Sequence, residues 1–289
     1  MNGLLFPGQG SQGIGMGKDL YDNLPVAREL LDKANAVLGY DLKTIMFRGP
    51  LVSLTDTKYA QPAIFTCSAM YLAKLKEQGL TYDYVAGHSL GEYNALLAAG
   101  VFDFETGLFL VKRRGEAMSR QNGKGSMAAV LGLSEEELSA LLTPGVVVAN
   151  LNSKTQIVVS GEETALDNLE TELSGNETVK IKRLQVSAAF HSPQMIEASE
   201  EMKAIIEKTV FHSPLCNVVS NVTGNPSMNV DEIKDSLISQ ITGQVRWYDT
   251  IMSMKDAGVD LLYEVGYGDV LKKMNKTITF RPKCVGVEV

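Results

Sequence analysis

Residues 82–99 read Tyr82-Asp83-Tyr84-Val85-Ala86-Gly87-His88-Ser89-Leu90-Gly91-Glu92-Tyr93-Asn94-Ala95-Leu96-Leu97-Ala98-Ala99, and this stretch decides the fold. Its first five residues suit a short strand, and the alanine- and leucine-rich residues after Gly91 suit a helix. Between them stands Gly87-x-Ser89-x-Gly91, the G-x-S-x-G pattern in the strand-to-helix context that gives it chemical meaning. A turn this tight strains the serine backbone and brings neighbouring main chain close, so the positions two before and two after cannot carry a Cβ. Ser89 Oγ then projects above the carboxyl edge of a sheet. The Leu90 amide points the same way, at the positive end of the helix. A nucleophile beside half of an oxyanion hole is the chemical reading, against the bland one of a serine that caps a helix.

Outward from this turn, strands alternate with helices. Residues 3–6 form an apolar strand that runs into the glycine-rich loop 7–13. Gln61-Pro62 is expected to open a helix that ends at Gly79, with Ile64, Cys67, Tyr71 and Leu75 on one buried face. Asp103 reads as the N-cap of a helix that aligns Leu108, Val111, Arg114 and Met118. From residue 125 to 190 the texture changes: strand 127–131, helix 134–142 with Ser134 and Glu137 in a capping box, strands 146–149 and 156–160, helix 162–173 and strand 179–186. The order βαββαβ is the ferredoxin-like split pattern. After it come a helix at 194–208, a strand at 217–220, helices at 230–241 and 247–257, a strand at 261–265, a helix after Gly268 and a last strand at 284–287. The expected architecture is an α/β fold with a mainly parallel sheet, residues 1–124 and 191–289, interrupted by a small domain at 125–190.

The 289 residues are 45% hydrophobic and 21% charged, the usage of a globular protein. A net charge of −7 disfavours nucleic acid or anionic lipid as the general partner. No apolar run reaches the roughly 18 residues of a membrane span, and the start lacks a signal-peptide pattern, so a cytoplasmic protein is expected. Cys67, Cys216 and Cys284 are scattered, and three histidines are too few for a histidine-rich metal site. Basic residues cluster at Lys112-Arg113-Arg114 with Arg120, at Lys180, Lys182 and Arg183, and at Lys272, Lys273 and Lys276; the bland reading of each is a solvated face.

A serine nucleophile needs a base. His88 adjoins Ser89 and reads as a packed histidine, and His212 lies in a connection. His191 stands at the return from the small domain, where it can reach over the sheet edge. No acidic residue is placed to orient it, so a main-chain carbonyl is the expected partner in a Ser-His dyad.

Five motifs, taken in order, resemble those of malonyl-CoA:acyl carrier protein acyltransferases: Phe6-Pro7-Gly8-Gln9-Gly10-Ser11-Gln12, Gly87-His88-Ser89-Leu90-Gly91-Glu92-Tyr93, Arg114-Gly115-x-x-Met118, Ala189-Phe190-His191-Ser192 and Gln240-x-x-x-x-Val245-Arg246-Trp247. The resemblance spans nearly the whole chain, and residues 98–107 look most like discrete, trans-acting enzymes of modular polyketide synthases. It implies an α/β-hydrolase-like large domain with a ferredoxin-like insertion. It further implies Ser89 as the acylated residue, His191 as its base, and the Gln240 main-chain carbonyl as the group that steers His191, with Gln240 also expected, beside Arg114 and Phe190, among the residues that bind substrate. Gln9 and Leu90 amides would form the oxyanion hole, and Arg114 would hold the malonyl carboxylate. Phe190, bulky where methylmalonyl-selective relatives have serine, favours an unbranched malonyl unit.

Two positions depart from the family: Ala188 replaces a histidine common in malonyl-selective relatives, and Gln244 replaces a proline. The implied partners are malonyl-CoA, as substrate, and an acyl carrier protein, with no cofactor and a monomeric enzyme. An acyl hydrolase that clears carriers and a silent carrier-docking protein are the alternatives.

Overall fold

The computed structural model describes residues 1–279 and 281–287. Its larger sheet is built from β1 (Asn2–Phe6) and β2 (Tyr84–Gly87), and its smaller sheet from β3 (Ser126–Leu131), β4 (Val146–Ser153), β5 (Gln156–Gly161) and β6 (Lys180–Arg183). The chain then returns to the larger sheet with β7 (Asn217–Val219), β8 (Pro226–Ser227), β9 (Leu261–Glu264) and β10 (Lys283–Gly286). The larger sheet has the order β10-β9-β1-β2-β7-β8, and every pairing is parallel except β7 with β8. Its central strands β1 and β2 are buried beyond their first residues, Leu4, Leu5 and Phe6 at 0% exposure, as a sheet covered on both faces requires. The smaller sheet has the order β4-β5-β3-β6 and is antiparallel throughout, which is the ferredoxin-like arrangement of a βαββαβ unit.

Local signals explain much of this. Asp103 accepts from the Thr106 amide at 2.8 Å and starts the helix Phe104–Ser119. Ser134 and Glu137 form the expected capping box at the start of helix Glu135–Leu141. The helix expected from Gln61-Pro62 instead spans Thr57–Glu77, starts at Asp56, and holds Pro62 in its second turn. It has no single buried face, because every residue from Ala60 to Leu72 is buried. That surrounding of apolar neighbours fixes the helix and overrides the proline's tendency to end one. Four helices precede it, Lys18–Asn23, Pro25–Leu38, Leu42–Arg48 and Leu51–Thr55, none of them anticipated from the sequence.

Strand β4 is longer than the expected 146–149 and carries register shifts between Val148 and Asn150 and between Leu151 and Ser153. The bulged part is tied to the larger unit: the Leu151 amide donates to the Val245 carbonyl at 2.9 Å, and the Val245 amide to the Ala149 carbonyl at 2.8 Å. A bulge re-aims side chains. Here it carries Asn150 and Asn152 onto the wall of a cavity between the two sheets.

Candidate active site

The turn after β2 is built by steric exclusion. A Cβ on Gly87 would lie 1.9 Å from the Gly91 carbonyl carbon, and one on Gly91 would lie 2.0 Å from the Phe6 carbonyl oxygen. Both glycines are obligatory, because the first turn of helix Gly91–Ala98 rests on the ends of β1 and β2. Ser89 is held at φ 52°, and His191 at φ 55°; among the described residues these are the two non-glycine positions with positive φ. Such strain persists only where neighbours over-determine it. Asn221 does so at the elbow: its Oδ1 accepts from the Ser89 amide at 2.7 Å and its Nδ2 donates to the Gly87 carbonyl at 2.6 Å.

Ser89 Oγ and His191 Nε2 are 2.8 Å apart, and His191 Nδ1 lies 2.9 Å from the Gln240 carbonyl oxygen. Because Nδ1–H must donate to that carbonyl, Nε2 is the bare acceptor for the serine hydroxyl. Burial, with the nearby Arg114 charge, pushes the His191 pKa down to about 3, so the imidazole is neutral at neutral pH and free to take a proton. His88 serves packing, as its sequence position implied. Its Nε2 pairs with Asn152 Oδ1 at 3.0 Å and its ring leans on Trp247, while burial lowers its pKa. His212 is exposed.

The loop after β1 lies against the elbow at Gly8, where a Cβ would meet the His88 carbonyl oxygen at 2.3 Å. That approach brings Gln9 beside Leu90 on the cavity wall. The amides of Gln9 and Leu90 donate to no acceptor among the described residues, which leaves them available to an oxyanion. The Gln9 side chain is anchored separately, from Nε2 to Thr57 Oγ1 at 3.2 Å.

Arg114 is 1% exposed, and its Nη2 donates to Ser89 Oγ at 3.1 Å and to Gln240 Oε1 at 3.0 Å. Its Nε has no partner, and no carboxylate among the described residues lies within ion-pair distance. Glu92 acts on Arg114 only from beyond ion-pair distance, and a buried guanidinium without a directly paired anion is costly by several kcal/mol, about the desolvation penalty of one charge.

The cavity that these groups share measures about 570 Å³. Ser89, Leu90, Gln9, Arg114, His191 and Phe190 are on its wall; Gln240 stands behind Arg114 and His191, fully buried, and does not face the cavity. Gln240 was expected to bind substrate, and its place in the structure is that of a support. Met127, Val158, Leu184 and Val186 supply an apolar wall from the smaller sheet and its exit. Ala188 is fully buried and is not among the residues on the cavity wall. Gln244 joins Glu135 on the small unit to Arg246 through its side-chain amide. Asn221, Asn150 and Asn152 were not singled out in the sequence. Their contacts cross 62 to 134 residues of chain, and no local spacing announces them.

Comparison with known proteins agrees with this geometry. Residues 4–265 match the acyl transferase domain family. The malonyl CoA-acyl carrier protein transacylase of Bacillus subtilis is 38% identical over 291 residues, which cover 98% of this chain and 92% of that protein. The polyketide biosynthesis malonyl CoA-acyl carrier protein transacylase PksC of the same organism is 42% identical over 276 residues, covering 92% of this chain and 93% of the relative. A solved malonyl-transacylase in complex with its type II polyketide synthase acyl-carrier protein superposes with a TM-score of 0.94 at 33% identity, over 99% of this chain and 95% of that one. On domain match, sequence identity and fold alike, this chain belongs to the acyl transferase family, among the malonyl CoA-acyl carrier protein transacylases.

Proposed function

We infer that this protein transfers a malonyl group from malonyl-CoA to the phosphopantetheine thiol of an acyl carrier protein through a malonyl ester on Ser89. The observation that carries the reading is Arg114: a buried guanidinium, without a carboxylate partner, bonded to the nucleophile itself. It is one carboxylate short, and a three-carbon diacid attached to Ser89 supplies one. A planar guanidinium holds a carboxylate by two parallel hydrogen bonds.

In the first half-reaction Ser89 Oγ attacks the thioester carbon as its proton passes to His191 Nε2. The Gln9 and Leu90 amides receive the oxyanion. The C–S bond then breaks and the sulfur of CoA takes the proton from His191. In the second half the carrier thiol gives its proton to His191 and attacks the ester carbon. The C–O bond to Ser89 breaks, and the hydroxyl regains the proton. The two halves share one site, so the kinetics are ping-pong.

The carrier is acidic, and its landing place is the helix Val270–Asn275 at the cavity mouth. Met274 of that helix lines the cavity, and Lys272 and Lys276 make no ion pair among the described residues. Elsewhere Arg183 is bonded to Glu163, Asp167 and Glu170, and Arg113 and Arg120 to Glu201, as Lys273 is to Asp269; Lys180 and Lys182 also make no ion pair among the described residues, but no residue of their strand β6 lines the cavity. The likeness to PksC supports a polyketide synthase as client; a monomer that acts in trans in the cytoplasm completes the proposal. Among the described residues no helix is long and apolar enough to cross a membrane.

Incubation with malonyl-CoA, with and without a holo carrier protein, tests the reading by its products. Malonyl-carrier is expected. Free malonate as the main product indicates a hydrolase, and unconsumed malonyl-CoA a silent protein.

A further inference from the structure

Glu92 is 3% exposed, lies in the first turn of the helix that follows the elbow, and takes no part in the proton transfers above. Its Oε2 accepts from Gln240 Nε2 at 2.6 Å, and its Oε1 faces the Asn221 amide at 3.4 Å. Gln240 Nε2 spends its second hydrogen on the Ser89 carbonyl, at 2.8 Å. Both hydrogens of the Gln240 amide nitrogen are therefore fixed on one side, and Oε1 is turned to Arg114 Nη2 on the other. With the amide reversed, its oxygen would confront a carboxyl oxygen and a carbonyl oxygen, and its NH₂ would confront a guanidinium. Neither contact is a hydrogen bond.

We propose that Glu92 is a positioning residue for malonyl selectivity: as an acceptor it fixes the orientation of the Gln240 amide, which in turn holds the Arg114 guanidinium at Ser89. The proposal rests on the reading of Arg114 as the carboxylate clamp. What Glu92 contributes is an oxygen at a set place. Glu92→Gln keeps such an oxygen, whereas Glu92→Ala and the length-matched Glu92→Met do not.

The test is the ratio of kcat/KM for malonyl-CoA over acetyl-CoA in wild type, the three Glu92 variants, Gln240→Leu, and the double variants that join Gln240→Leu to Glu92→Ala or Glu92→Met, each checked for a cooperative unfolding transition. A loss of about ten-fold in the ratio is expected for the alanine and methionine variants, the scale of one charge-assisted hydrogen bond. Glu92→Gln is expected to stay within about two-fold of wild type, and in the Gln240→Leu background removal of the acceptor is expected to add no further loss, because the two groups act as one unit. Equal losses for malonyl-CoA and acetyl-CoA, additive losses in the double variants, or a Glu92→Gln ratio as low as that of alanine would each overturn the proposal. If neither of the others folds, the glutamine variant carries the test with Gln240→Leu: a Glu92→Gln ratio about ten-fold below wild type overturns the proposal, as does a Gln240→Leu ratio equal to that of wild type. A wild type without malonyl preference refutes the Arg114 reading itself; a wild type with that preference and alanine and methionine variants at Glu92 that keep it refute only the role of Glu92.

Discussion

The two walls of the cavity are made differently. On the side of the larger sheet nearly every polar group is fixed: Ser89 by Asn221, His191 by the Gln240 carbonyl, Arg114 by the Gln240 amide. On the side of the smaller sheet Met127, Val158, Leu184 and Val186 offer apolar surface with Gln185 among them, and the polar side chains that β4 brings, Asn150 and Asn152, turn to His88. In the proposed reading the first wall carries the chemistry, because its groups are preorganised by strands and helix ends of a parallel sheet. The second excludes water and shapes the space. Substitutions on the two walls should therefore fail in different ways.

The largest separation is expected at Arg114. Arg114→Ala should reduce the preference for malonyl-CoA over acetyl-CoA by about 10–100-fold, the worth of a hydrogen bond to a charged group, with acetyl transfer less affected. Steady-state kinetics on both thioesters reads this directly, and an unchanged ratio would erase the distinction between the walls. Asn221→Ala should come next. It leaves the Ser89 amide and the Gly87 carbonyl unpaired at a strained turn, at a cost of about 1–3 kcal/mol in urea unfolding. It should also lower kcat for both thioesters alike, since the elbow rather than the clamp is loosened.

Val158→Ala, on the apolar wall, should cost about 1–2 kcal/mol of stability for the lost methyl groups and leave the malonyl-to-acetyl ratio within about two-fold. A large selectivity change there would show that the second wall also reads the acyl group. The smallest effect is expected from pH. With its pKa depressed to about 3, His191 is neutral in the free enzyme, so kcat/KM for Ser89 acylation should show no histidine acid limb down to about pH 5. The same depression implies the stability sign: the unfolded chain binds the proton that the folded histidine refuses, so stability from this group is present above the ordinary histidine pKa and declines as pH falls below it. A limb near the ordinary histidine value would place water, not protein, around His191.

What the sequence disclosed divides along the same line. The elbow, the Asp103 cap, the Ser134–Glu137 box and the βαββαβ order are local patterns, set by glycine sterics, capping chemistry and hydrophobic period, and all four stand in the structure. The helix Thr57–Glu77 was misplaced at its start because a helix buried all round shows no stripe, which left Pro62 as the most visible mark. The short helices between Lys18 and Thr55 likewise lacked a strong period of their own. Within the site, Ser89 and His191 could be proposed from motif and position. Asn221 could not, since it meets Ser89 across 132 residues of chain. The place of Gln240 behind the wall, rather than on it, also required the three-dimensional arrangement.

The central claim is that one end of a malonyl group is esterified to Ser89 while Arg114 secures the other. A crystal structure of the protein trapped after brief exposure to malonyl-CoA tests it most directly. The account predicts continuous density from Ser89 Oγ to a carboxylate paired with both ends of the Arg114 guanidinium; acyl density on another residue, or a carboxylate turned away from Arg114, would contradict it.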